Sequence, residues 1–290
     1  MYKNILVPLD GSKLAEVALP YAEEFAVKFN AGITLLRVIE YTPEGVIPKD
    51  GVMALETIEQ QYIDKLRQEL TNKGIDARAE IRVGDPTKEI SKFASKDKTD
   101  MIIMAARGKS DLRQWSPGDT ADTVVRAANQ FILLIRVMEN LHKSPKLHLL
   151  GKVLVPLDGS KEAETAVPYV EDLAVKLGME IILFMVVKKG SHVYPVNGDG
   201  AYRIVPFSKE QIKMKKRDAR AYLEAVAESP RSLGIQVKTE VTYGDVAKDI
   251  VKFGDRFAVN MVAMSYKERF GSVANRFLRE GSNHLLLIKT

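Results

Sequence analysis

The sequence has no cysteine. Disulfides, thiolate-held zinc and iron–sulfur clusters are therefore outside its chemistry, and a reducing, cytoplasmic setting suits such a chain. Its four histidines, His142, His148, His192 and His284, are scattered without the spacing of a metal site, so no metal is expected. Long apolar runs are also missing. Stretches such as Ile181–Val187 (IILFMVV) fall far short of the ~20 residues that span a bilayer. The apolar part of the opening MYKNILVPLDGS is too short for a signal peptide, and no membrane association is expected. Charge of one sign is scarce: 43 basic against 38 acidic residues leave a net charge of only +5. The one basic cluster, KMKKR at Lys213–Arg217, has no interleaved aromatics and reads as a solvated helix face, not a nucleic-acid surface. A Gly-x-Ser-x-Gly elbow is absent as well, and nothing supplies an evident general base. The chain reads as a binding protein rather than an enzyme.

What is present is a phrase written twice. LVPLDGSK occupies Leu6–Lys13 and again Leu154–Lys161. Asp10 and Asp158 are offset by 148 residues, as are Pro20 and Pro168 in ALPYAEEFAVK and AVPYVEDLAVK. RVGDPTKEI and TYGDVAKDI, beginning at Arg82 and Thr242, are offset by 160, and GDTADTVVRAANQFILLIR and GSVANRFLREGSNHLLLIK, beginning at Gly118 and Gly271, by 153. The second copy thus gains 12 residues in its middle and loses 7 between Met264 and Gly271. Repeats of this length imply two domains: residues 1–137 and 151–290, joined by a linker at 138–150.

Within each copy the apolar period alternates between strand and helix. Asn4–Leu9 is a short, nearly all-apolar run, as expected of a strand buried on both faces. Ser12 is placed to cap a helix in which Leu14, Ala18, Ala22, Phe25 and Phe29 recur at helical spacing, with Pro20 either kinking it or marking its true start. Further strands are expected at Ile33–Ile39, Ala77–Val83, Met101–Met104 and Phe131–Arg136, with helices at Leu55–Asn72, Pro86–Ala94 and Thr120–Ala128. That alternation predicts an α/β chain of two tandem doubly wound, Rossmann-like domains, each a five-stranded parallel sheet with helices on both faces. In such sheets ligands bind outside the carboxyl ends of the strands, where the strand order reverses. The repeated Asp-Gly-Ser lies at one such end and the loop after Met104 at another. The insertion in the second copy, VYPVNGDGAYRIV (Val193–Val205), reads as a β-hairpin turning at Asn197–Gly200, either an ornament or a docking arm carrying Tyr194 and Tyr202.

Two readings of Asp10-Gly11-Ser12 stay open on the phrase alone. It is a good strand-to-helix turn with a cap. Equally, a carboxylate at a strand end accepts hydrogen bonds from a ribose hydroxyl or base amine, beside a helix N-terminus that favours anions. AARGKSDLRQWSPGDT (Ala105–Thr120) contains Gly-Lys-Ser, but a P-loop needs glycine where Ile103 stands. Its small residues, Ala105, Gly108 and Gly118, would let backbone N–H groups approach phosphate oxygens, and Arg107, Lys109 and Arg113 add positive charge. A solvated surface loop is the competing reading. Trp115 either packs over a ligand in this loop or anchors it.

LVPLDGS, a second strand ending Arg37-Val38-Ile39, VGDP, and a fourth strand followed by a glycine-spaced loop and GDTADTVVRAA together resemble the universal stress protein family, twice over nearly the whole chain. One branch of that family binds ATP through Gly-x2-Gly-x9-Gly-Ser/Thr. Gly108 and Gly118 match its second and third glycines, Ala105 stands at the first, and Asp119, followed by Thr120, stands at the Ser/Thr position. The resemblance implies an adenine nucleotide, ATP or AMP, lined by Pro8, Asp10, Ser12 and Val38 at the nucleoside end. At the phosphate end it implies Ala105, Arg107, Gly108, Gly118, Asp119 and Thr120. Asp119 puts negative charge where phosphate is expected, which opposes a triphosphate unless the basic residues offset it or Mg2+ bridges. The second copy keeps Asp158, Val186, Gly271 and Ser272 but has no counterpart of Gly108, so its site is expected to be the weaker. The resemblance also implies antiparallel pairing of fifth strands, here FILLIR and HLLLIK, which would make the chain its own pseudo-dimer and leave a homodimer of chains open. The alternative function is a scaffold of the same family that binds no nucleotide, and slow ATP hydrolysis is the one enzymatic activity left open.

Overall fold

The computed structural model describes residues 2–40, 49–107, 118–136, 149–195, 202–267 and 271–289. The first half runs β1 (Asn4–Leu9), α1 (Leu19–Phe29), β2 (Gly32–Ile39), α2 (Lys49–Asn72), β3 (Ala77–Val83), α3 (Pro86–Lys96), β4 (Met101–Ala105), α4 (Asp119–Ala127) and β5 (Phe131–Ile135). The second half runs β6 (Lys152–Pro156), α5 (Lys161–Glu164), α6 (Ala166–Leu177), β7 (Glu180–Lys188), β8 (Ser191–Pro195), β9 (Tyr202–Pro206), α7 (Lys209–Ser232), β10 (Val237–Gly244), α8 (Val246–Arg256), β11 (Met261–Tyr266), α9 (Ser272–Glu280) and β12 (His284–Lys289).

The segment after Ser12 is not one helix. A 3-10 turn covers Ala15–Ala18, and α1 begins at Leu19 with Pro20 in its first turn. Proline has no N–H to continue an α-helical ladder from the preceding turn, yet its fixed φ suits a helix start. Of the two readings of Pro20, the start is the one realised. The inserted hairpin forms from β8 and β9, which pair antiparallel. Its turn, Asn197–Gly200, lies outside the described residues.

The strands form one sheet in the order β10-β7-β6-β11-β12-β5-β4-β1-β2-β3. Each half contributes five parallel strands in the same 3-2-1-4-5 order, so the two expected sheets are continuous with each other. They meet at β5 and β12, the antiparallel pair, with Leu286 opposite Leu133. Alternate residues of every central strand face opposite layers. On one side Ile5, Val7, Leu35 and Leu133 pack against Phe25 of α1, Ile63 of α2, Leu173 of α6 and Leu223 of α7. On the other, Leu6, Leu36, Ile102 and Leu134 pack against Phe93 of α3, Val124 of α4, Phe253 of α8 and Phe277 of α9. Fully burying each such side chain contributes about 1.5–3 kcal/mol. Among the described residues no helix is long and apolar enough to cross a membrane.

Polar contacts at the junction are reciprocal. Arg136, just after β5, donates from Nη2 to the carbonyls of Phe277 (3.2 Å) and Leu278 (2.6 Å) in the last turns of α9. Lys289, the last residue of β12, donates from Nζ to the carbonyl of Ala128 (3.5 Å) and to Asn129 Oδ1 (2.5 Å) just beyond α4. Each fifth strand therefore ends in a cation that satisfies the electronegative carboxyl end of the other half's helix. His284 is buried at the start of β12. Its Nδ1 accepts the Arg136 backbone N–H (3.1 Å), which places the ring proton on Nε2, 2.8 Å from Tyr21 Oη. Burial, and then the nearby Arg136 charge, push the His284 pKa down to about 3. Phe131, at the matching place in β5, packs against Tyr169 with the rings tilted by 56° and their centres 5.0 Å apart.

Candidate functional site

Strand order reverses between β1 and β4, and again between β6 and β11. The β1–β4 ladder holds only Ile5 to Met101 and Leu6 to Ile102. Beyond it the strands part, and Pro8 has no N–H to extend the pairing. The crevice so opened is a cavity of about 600 Å³, a size that takes a nucleotide-scale ligand. Its walls come from the carboxyl ends of β1, β2 and β4 and the amino ends of α3 and α4.

Pro8, Asp10, Val38, Ala105, Arg107, Gly118, Asp119 and Thr120 all line this cavity. Residues far apart in sequence therefore converge on one crevice. Leu36, Ile90 and Met104 add an apolar wall beside Val38. Ser12 does not belong to the lining: its Oγ donates to Asp10 Oδ1 (2.6 Å) and accepts from the Ala15 N–H (3.1 Å). The Ser12 N–H reaches the same carboxylate oxygen at 2.9 Å. Gly11 bridges the two at φ +81°, a conformation open to glycine at little cost. Asp-Gly-Ser is thus a turn with a cap, and it leaves Asp10 at the cavity wall. Gly108, with Lys109, Arg113 and Trp115, lies outside the described residues. The two ends of that segment are tied together, because the Gly118 N–H donates to the Ala106 carbonyl at 2.9 Å.

Gly118 is the N-cap of α4 and makes no side-chain cap bond, so Asp119 is the first residue of the helix, with Asp122 also in its first turn. Two carboxylates at a helix N-terminus are favourable to the helix, and they occupy the field that an incoming phosphate would use. Arg107 supplies the opposing charge. It also raises the positive potential around the buried Arg136, whose pKa falls to about 10, through burial first and Arg107 second.

Sequence reasoning did not single out Arg37 or Glu59, and both line the cavity. Arg37 is buried in β2 and donates from Nε and Nη2 to the two carboxylate oxygens of Glu59 in α2, at 2.6 and 2.8 Å. Its Nη1 donates to the Val38 carbonyl at 2.6 Å. One signal was available: an arginine inside the apolar run TLLRVI, in a strand buried on both faces, needs a partner.

In the second half the turn recurs. Asp158 Oδ1 accepts from the N–H (3.0 Å) and Oγ (2.6 Å) of Ser160, which caps α5, and Gly159 has φ +85°. Val186 is buried in the core layer that also holds Phe184 and Phe253, whose ring centres are 4.6 Å apart. Gly271 is the N-cap of α9 and Ser272 its first residue, with no acid in that first turn. Asp158 and Ser160 are exposed. Among the described residues no group of three or more histidine, aspartate or glutamate side chains is placed to hold a metal ion.

Comparison with known proteins agrees with the repeat and the fold. The model of the universal stress protein family matches residues 1–136 and again 150–289. Two universal stress proteins of Methanocaldococcus jannaschii are 29% and 30% identical to the chain over 141 and 158 residues; each alignment covers 47% of this chain and 83% or 96% of the relative. A crystal structure of a universal stress protein from Archaeoglobus fulgidus superimposes on the whole fold with a TM-score of 0.73 at 21% identity, covering 100% of this chain and 97% of that one.

Proposed function

The chain belongs to the universal stress protein family, and from that premise we propose that it is a stress-response regulatory protein whose first domain, residues 1–137, binds an adenine nucleotide, ATP or AMP. The observation that carries this reading is the convergence of Asp10, Val38, Arg107 and Gly118 on one cavity at the switch in strand order. The base would lie along Leu36, Val38, Ile90 and Met104. Asp10 would accept from a ribose hydroxyl, and the phosphates would run towards Arg107 and the amino end of α4. Asp119 opposes added phosphate charge, so AMP is favoured over ATP unless Mg2+ bridges the carboxylate and the phosphates. The protein acts by binding and not by turnover.

In this reading residues 151–290 form the second domain, residues 138–150 are the linker, and Asp158, Val186, Gly271 and Ser272 mark a weaker site. The two domains behave as a fused pseudo-dimer through β5 and β12, two chains associate into a homodimer, and the protein works in the cytoplasm without contacting nucleic acid or membrane. A second reading is favoured by two observations: Asp119 starts α4, and Arg37 already engages the Val38 carbonyl. It makes the protein a scaffold that binds no nucleotide. Isothermal titration with ATP and AMP separates the two. The nucleotide reading expects binding at or below millimolar concentration and loss of at least about tenfold in Asp10→Ala, the cost of one lost charged hydrogen bond. Asp119→Ser should strengthen ATP more than AMP. Heat from neither nucleotide at millimolar concentration leaves the scaffold.

A further inference from the structure

We propose that Arg37 reads the base in this cavity: its guanidinium supplies a hydrogen-bond donor beside the Val38 carbonyl, and together they match the amine-plus-ring-nitrogen edge of a 6-aminopurine. The inference rests on the cavity being an adenine-nucleotide site. An arginine has five N–H donors. Among the described residues Glu59 takes two and the Val38 carbonyl one, so two are left. Arg37 and Val38 are both part of the cavity lining. The carbonyl has a second lone pair. An acceptor and a donor therefore stand side by side, 2.6 Å apart, at the carboxyl end of β2. Adenine presents the complement, an N6 amine next to an acceptor nitrogen at N1 on one edge and N7 on the other.

The pair is built to hold that geometry. A guanidinium taken out of water is costly unless a fixed partner compensates it, and the two-pronged Glu59 contact both compensates Arg37 and fixes its plane. The side chains of Arg37 and Glu59 are 10% and 16% exposed. Gly11 lies against them: a Cβ there would stand 3.9 Å from Arg37 Nε and Nη2 and from Glu59 Oε2. The turn that positions Asp10 thus packs directly on the base-reading pair. In the second half the corresponding positions are Met185 and Ala219, so that half keeps Val186 but has no side-chain donor at either position.

The test is titration of the full chain with AMP, its 1-deaza and 7-deaza analogues, and purine riboside monophosphate, which lacks the 6-amino group. Wild type is compared with Arg37→Met and with the double variant Arg37→Met/Glu59→Ala, which installs the apolar couple of the second half and leaves no carboxylate unpaired. Thermal melting checks that both fold. Wild type is expected to bind AMP and to lose roughly tenfold with one of the two deaza analogues, as one lost charged hydrogen bond implies. The double variant should lose roughly tenfold for AMP, cease to distinguish AMP from that analogue, and still disfavour purine riboside monophosphate through the Val38 carbonyl. A double variant that binds AMP as tightly as wild type, or that keeps the deaza penalty, overturns the proposal. Wild type that binds no AMP at millimolar concentration overturns the nucleotide reading itself, and this inference with it.

Discussion

The two halves of the chain share a fold, and beyond the inserted hairpin and the shortened loop of the second half three differences fall at the cavity or the seam. Both build the same Asp-Gly-Ser turn, and both tie it to the long helix through a tyrosine: Tyr62 Oη donates to Glu16 at 3.3 Å in the first half, and Tyr222 Oη to Glu164 at 2.7 Å in the second. These contacts hold the architecture and recur because the architecture does. The differences lie elsewhere. Arg37 and Glu59 give way to Met185 and Ala219, Asp119 to Ser272, and Phe131 to His284. The first two line the first half's cavity, and the third sits at the seam. The repeat keeps the turn that opens each unit and varies some residues of the first half's cavity and of the seam.

The sharpest test of that contrast is at the seam. His284 has a folded pKa near 3 against an ordinary 6.5, so below pH 6.5 the unfolded chain binds a proton that the folded chain does not. Its contribution to stability is whole above pH 6.5 and is lost as pH falls towards 3. The loss is on the order of 4–5 kcal/mol if the full shift is realised. His284→Phe, which copies Phe131, should flatten this part of the pH dependence in urea unfolding carried out between pH 7 and 3.5. An unchanged slope would mean that the ring is reached by water.

A smaller effect is expected at the cavity. Glu59→Ala alone strands the Arg37 charge in a buried site and should cost about 3 kcal/mol, whereas Arg37→Met/Glu59→Ala should lie within about 1 kcal/mol of wild type. Equal losses in the single and double variants would show that the pair is no more than packing. The smallest effect tests what the halves have in common. Ser12→Ala and Ser160→Ala each remove a cap bond and should each cost about 1 kcal/mol, measured by chemical denaturation. A marked difference between them would break the equivalence of the two turns.

Most of the architecture was legible because it is written in periodicity. Strands such as ILVPL and MIIMA are apolar runs bounded by turn residues, and the repeat made each half a check on the other. The nearness of Asp10 and the loop after Met104 was legible because strand ends in an α/β sheet share an edge, whereas Val38 was singled out only by the family resemblance. The 3-10 turn before Pro20 was only half legible, since proline announces a break without saying which side of it carries the helix. Glu59 was not legible at all. On an amphipathic helix it is one acidic residue among several, and only the crossing of α2 over β2 selects it for Arg37. The reciprocal caps of Arg136 and Lys289 depend likewise on where the other half's helices end, which no local pattern encodes.

Zipping β5 to β12 leaves the sheet with two outer borders, β3 and β10, at opposite ends of ten strands. Both carry alternating charges, Arg78, Glu80 and Arg82 on one and Lys238 and Glu240 on the other, and charged rims of this kind resist templating by a neighbour. Growth of the ten-stranded sheet by strand addition is therefore disfavoured at either end: that sheet has used its adhesive border within the chain itself.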